Sequence, residues 1–166
     1  SQAGAQQPGL DIQSYHFRID LPDTGTTIKG LASVFFTTSS GYDDTLRLDL
    51  VGMTVRRVFD INTMRAIPHR YDGQVIRIPT RGLAQGRRRG VVVEYRGQPR
   101  DGLIIRRNAR GAMSAFGDNW PNRARYWLPT VDHPSDKADS VRVTVTVPSQ
   151  YRVGSQGLLE HETSAG

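Results

Sequence analysis

Residues 140–148 read SVRVTVTVP, with Val141, Val143, Val145 and Val147 alternating against Arg142, Thr144 and Thr146. A period of two sends successive side chains to opposite faces of an extended chain, and β-branched residues suit a pleated, half-buried surface. The same pattern recurs upstream. Tyr15, Phe17, Ile19 and Leu21 share one face, with His16, Arg18 and Asp20 on the other. Ile28, Ala32, Val34 and Phe36 line one side of the next run. Leu46, Leu48 and Leu50 alternate with Arg47 and Asp49, and Val91, Val93 and Tyr95 with Val92 and Glu94. Turn chemistry falls between the runs: Pro22-Asp23-Thr24-Gly25, Ser39-Ser40-Gly41-Tyr42-Asp43, and Asp72-Gly73, whose residues tolerate the positive φ of a tight hairpin. No window carries a capped apolar stripe of helical period. The chain therefore reads as all-β, an antiparallel sandwich or set of curved sheets.

The length of 166 residues suggests one domain with a core large enough to fold without metal or disulfide. There are no cysteines, which excludes disulfides, thiolate zinc sites and cysteine nucleophiles. No apolar run approaches the roughly 20 residues that span a bilayer. The opening SQAGAQQPGL, residues 1–10, is small, polar and punctuated by Gly and Pro. It reads as a flexible leader of the kind left when a signal is removed, which favours an exported or periplasmic protein. The net charge of +6 permits attraction to anionic partners, but the arginines are scattered, and the one tight cluster is Arg87-Arg88-Arg89.

Two stretches break the alternation: residues 96–111, rich in Gly, Pro, Arg and Asn, and residues 117–140, which hold both tryptophans and three prolines. A long irregular segment in a compact domain is usually functional or packs against something else. Within it, Trp120, Tyr126 and Trp127 combine large apolar area with a polar handle, as core or interface residues do.

No complete catalytic set is present. His16, His69, His133 and His161 have none of the spacings that converge on one zinc ion. His161-Glu162 begins like H-E-x-x-H, but Ala165 stands where the second histidine belongs. Asp132-His133 are adjacent on an extended segment and point apart, so a turn ahead of Pro134 is the better reading. No Gly-x-Ser-x-Gly elbow and no phosphate loop occur. Taken alone, this chain is expected to be non-catalytic and to hold no metal.

The stretch from Gly117 to Ser140, with Pro121, Ala124-Arg125, Leu128-Pro129, Asp132, Pro134 and Lys137, resembles the signature near the end of the N-terminal domain of aminopeptidase N-type zinc metallopeptidases, the family of the leukotriene A hydrolases. Ile28-Lys29-Gly30-Leu31-Ala32, the run 46–55 (LRLDLVGMTV), and Tyr95-Arg96-Gly97 followed by Asp101-Gly102-Leu103 match in the same order. The resemblance implies a saddle-shaped β domain over residues 11–160, with 161–166 a truncated tail. It also implies a thermolysin-like catalytic domain as partner in the same polypeptide, carrying the zinc and acting on peptide substrates. In that family a loop a few residues before the Pro-x-x-Ala-Arg run helps hold the substrate α-amine. Here that position falls on Trp120, with Asp118 and Asn119 the nearest acceptors for an ammonium. The family's commoner Gln or Glu is missing.

The expected function is a non-catalytic domain that covers one side of an aminopeptidase cleft. No nucleic-acid partner and no membrane span are expected. The rival is a free-standing basic β-sandwich that binds acidic peptide, glycan or nucleic acid through Arg87, Arg88, Arg89 and the aromatic loop.

Overall fold

The computed structural model of the protein describes residues 7–22, 24–84, 88–101, 103–107, 113–117, 124–131, 138–146 and 152–153. These form β1 (Leu10–Asp20), β2 (Ile28–Thr38), β3 (Thr45–Asp49), β4 (Thr54–Asp60), β5 (Arg70–Tyr71), β6 (Val75–Pro79), β7 (Arg89–Gly97), β8 (Leu103–Arg107), β9 (Met113–Gly117), β10 (Ser140–Thr146) and β11 (Arg152–Val153). One 3-10 turn, Ala124–Tyr126, interrupts them. The protein is all-β.

The strands make a five-stranded sheet in the order β10-β1-β2-β7-β4 and two three-stranded sheets, β3-β6-β5 and β11-β9-β8. Most pairings are antiparallel, as the short turns lead one to expect. Two are parallel: β10 lies along β1 and β11 along β9. Parallel neighbours cannot be joined by a hairpin. Here everything between β1 and β10 serves as the crossover, and a reading based on local turns does not see that.

Register explains the burial. Tyr15, Val34 and Val91 stand in one cross-strand row, Phe17, Ala32, Val93 and Val58 in the next, and Ile19, Gly30, Tyr95 and Val55 in a third. These inner-face side chains join Leu46 and Leu48 of β3 and Ile76 and Ile78 of β6 in one buried cluster. The five-stranded sheet and the β3-β6-β5 sheet thus share a core, as in a sandwich. Each buried aliphatic or aromatic side chain contributes on the order of 1.5–3 kcal/mol. Bulges at Gln13 and Arg56 keep the alternation in phase despite an extra residue.

The Asp72-Gly73 hairpin forms as its sequence indicates, between β5 and β6, with Gly73 at φ 89°. The Asp72 carboxylate accepts the backbone N–H groups of Gln74 and Val75 at 2.9 and 2.8 Å. Those bonds, with Arg77 beside it, hold its pKa down at about 2. Within the stretch read as a leader, Gln7 is buried, and its amide makes a reciprocal pair with the Arg47 backbone at 2.8 and 2.9 Å.

Candidate functional site

Within the signature segment, residues 124–131 form a plug pressed onto the core. Its short 3-10 turn closes through Trp127 N–H and Leu128 N–H, both donated to the Ala124 carbonyl at 3.0 and 2.7 Å. That turn swings Trp127, 4% exposed, and Leu128, 3% exposed, into the main apolar cluster, and Val131 follows. The backbone of the plug is tied to both layers. Val51 N–H donates to the Arg125 carbonyl at 2.7 Å, and Asp49 and Thr130 exchange backbone bonds at 2.7 and 3.2 Å. These ties lie at the end of β3. From the five-stranded sheet, the Tyr95 hydroxyl donates to the Trp127 carbonyl at 2.6 Å. The Tyr15 hydroxyl accepts the Val131 N–H at 2.8 Å.

Burial pushes the Tyr95 hydroxyl far above the ordinary tyrosine range, so it stays protonated and remains a donor. Its ring has room because β2 presents Gly30 opposite it. A Cβ at that position would stand 2.2 Å from Tyr95 Cζ. The glycine in Ile28-Lys29-Gly30-Leu31-Ala32 is therefore a clearance for the tyrosine that anchors the plug. Tyr71 works similarly at the β3–β4 connection, donating to the Leu50 carbonyl at 2.7 Å and accepting Met53 N–H at 3.1 Å. Burial raises its pKa as well.

The sequence marks Trp127 as core or interface and places Tyr15, Tyr95 and Gly30 in strands, without marking them as its anchors. Two signals were available: a hydroxyl on the core face must find a partner, and a glycine inside a strand marks close approach. Asp118, Asn119 and Trp120 lie outside the described residues, as do Asp132, His133 and His161. Of the other histidines, His16 places Nε2 3.2 Å from Thr144 Oγ1, and His69 places Nδ1 3.2 Å from the Ile67 carbonyl. Among the described residues no group of three or more His, Cys, Asp or Glu could hold a metal ion. The implied zinc thus finds no ligand set there, and no metal-dependent step is derived for this chain.

The arginine cluster is divided by the pleat. Arg88 lies over the Phe35 ring at 4.6 Å on the outer face, and Arg89 over the Phe36 ring at 5.5 Å on the other. Arg89 also donates to Thr38 Oγ1 and the Thr80 carbonyl. Arg87 lies outside the described residues.

Fold and plug together define an all-β scaffold domain whose second half positions an irregular, aromatic-bearing segment. The comparisons agree with that class. No protein-family profile matches the chain, and no curated protein sequence does. Among solved structures, the M1 zinc metallopeptidase of Deinococcus radiodurans is 27% identical with a TM-score of 0.63, over 84% of this chain and 33% of its own. Leukotriene A4 hydrolase of Saccharomyces cerevisiae shares the fold at 14% identity, with a TM-score of 0.68 over 84% of this chain and 24% of its own. The chain thus spans a third or less of the length of the structures it matches. Its fold matches part of the M1 zinc metallopeptidase structures, over a share of their length consistent with an N-terminal domain.

Proposed function

We propose that this domain is the non-catalytic N-terminal part of a zinc aminopeptidase-like protein. In this reading it covers one side of the active-site cleft, and Asp118, Asn119 and Trp120 help hold the α-amine of a bound peptide. The domain proper spans residues 11–160, and its partner is a catalytic domain of the same polypeptide. Zinc belongs to that second domain, where it supplies Lewis-acid polarisation of the scissile carbonyl. This chain's own share of the work is binding and orientation. Asp118 and Asn119 would accept bonds from the ammonium, and Trp120 would offer it a π face.

The observation that carries the reading is the double anchorage of residues 124–131. A loop that contributes to a cleft needs a rigid foundation, because a small misplacement of a positioning group is costly. Here Ala124 begins a segment bonded to both layers of the core, and Asp118 precedes it by six residues in the chain. The rival binding-module reading loses part of its basis, because Arg88 and Arg89 are engaged within the fold.

The test compares the chain alone with the chain extended through its catalytic half, on an aminoacyl chromogenic substrate with added zinc. Activity confined to the extended form is expected. In that form Asp118→Ala should raise KM for free-amine peptides while leaving N-acetylated ones unaffected. An unchanged KM would remove the amine-anchoring role, and no activity in either form would remove the peptidase reading.

A further inference from the structure

The outer face of the five-stranded sheet carries a cleft of about 390 Å3, within the range of roughly 300–1,000 Å3 usual for small-molecule sites. Its charged lining is Arg18, Lys29, Arg56 and Arg96 against Asp20 and Glu94. Register creates the cluster. Lys29 stands directly opposite Arg96 across β2 and β7, and Asp20 opposite Lys29 across β1 and β2. Arg18 faces Leu31, one same-face step along from Lys29. Arg56 is the extra residue of the β4 bulge, beside the strand that carries Arg96.

Two like charges directly opposite each other on one sheet face are unfavourable without a counter-charge. Elsewhere on this face two arginines have partners. Arg57 pairs with Glu94 at 3.4 Å and lies over Phe59, and Arg88 lies over Phe35. Among the described residues, by contrast, none of Arg18, Lys29, Arg56 and Arg96 has an ion pair or side-chain hydrogen bond. Glu94 is already engaged, which leaves Asp20 as the one free acid among four unpaired cations.

We infer that this cleft binds a small multivalent oxyanion of the phosphate class, held between Lys29 and Arg96 with Arg18 and Arg56 on either side. Guanidinium forks match tetrahedral oxyanions in bidentate geometry, and ammonium supplies a compact point charge. Thr146 adds a hydroxyl to the lining from β10. The two acids make a long uniform polyanion a poorer occupant than a compact anion that can sit between the cations. The site is independent of the peptidase reading, since it lies on the sheet face opposite the plug.

The test is calorimetric titration of the protein with inorganic pyrophosphate at low ionic strength, repeated at rising salt. One saturable site that weakens with salt is expected. Lys29→Ala and Arg96→Ala should each weaken it about tenfold or more, as loss of a charge-assisted bond implies. Asp20→Asn should tighten it, and Arg81→Ala, which removes a pair with Asp44 elsewhere, should leave it unchanged. Thermal melts of each variant separate lost binding from lost folding. Absence of saturable binding would overturn the inference, as would equal loss in Arg81→Ala or no gain in Asp20→Asn. An acidic peptide or single-stranded oligonucleotide that binds while pyrophosphate does not would also overturn it, and would assign the face to an extended polymer.

Discussion

The two faces of the five-stranded sheet are made by the same strands and obey opposite physics. On the inner face, Tyr15, Phe17, Ile19, Val34, Val93 and Tyr95 are buried, and their polar atoms are spent fixing residues 124–131. On the outer face, Arg18, Lys29 and Arg96 stand exposed, without an ion pair among the described residues. Packing saturates one face, so that change there costs stability. The other face buries Phe59 and Val92 but leaves these cations open to solvent, so that change at the charged positions alters what the protein attracts. Substitutions should therefore separate cleanly, with inner-face variants unfolding more easily and outer-face variants binding anions differently.

The largest expected effect is Trp127→Ala, which empties a buried site and should cost about 3–5 kcal/mol in urea unfolding. A loss below about 1 kcal/mol would mean the plug is dispensable and the inner face is complete without it. Gly30→Ala comes next. Its Cβ would collide with the Tyr95 ring, and overpacking of this kind costs about 1–3 kcal/mol. The double variant with Tyr95→Phe would sharpen the assignment: little relief is expected, because the ring remains. Tyr95→Phe alone removes the buried hydrogen bond to the Trp127 carbonyl and should cost about 1–3 kcal/mol.

Outer-face effects are smaller. Glu94→Gln removes an exposed pair with Arg57 and should change stability by no more than about 0.5 kcal/mol while strengthening pyrophosphate binding. A large loss of stability would break the division between the faces. The smallest effect is the pH response of His16. Partial burial, then the neighbouring Arg18 and Arg142, lower its pKa from the ordinary value. The neutral form is thus favoured in the folded state. Its contribution is present above about pH 6.5 and lost as pH falls from there through the folded pKa. His16→Gln should flatten that limb of the stability profile, measured by thermal melts between about pH 7 and 5.

Much of the inner face was legible because burial writes itself into sequence at a fixed period. The runs at Tyr15–Leu21, Ile28–Phe36 and Val91–Tyr95 all turned their apolar sets inward. β10 is the instructive exception. Its alternation is the cleanest in the chain, yet Val141 is 53% exposed and Val143 and Val145 are only half-buried. Among the described residues the strand lies at the sheet edge, beside β1 alone. Periodicity reports which side chains share a face and says nothing of whether a neighbour covers it. The arginine run Arg87-Arg88-Arg89 looked like the basic feature of the chain, but the pleat splits it and aromatic rings occupy what is described of it.

The amino-acid sequence by itself determined the alternating runs of β1, β2, β3, β7 and β10, which side chains share a face in each, and the Asp72-Gly73 turn, because these depend on residues within a few positions of one another. β8 lies inside the stretch 96–111 that reads as irregular. The order of motifs around Ala124-Arg125 also pointed to the metallopeptidase N-terminal domain. Only the tertiary structure decided that β10 runs parallel to β1, that Tyr15 and Tyr95 hold residues 124–131, and that Lys29 faces Arg96. Each of these joins residues far apart in the chain. Their meeting depends on the register of whole strands, which is set by the summed packing of the core rather than by any local pattern.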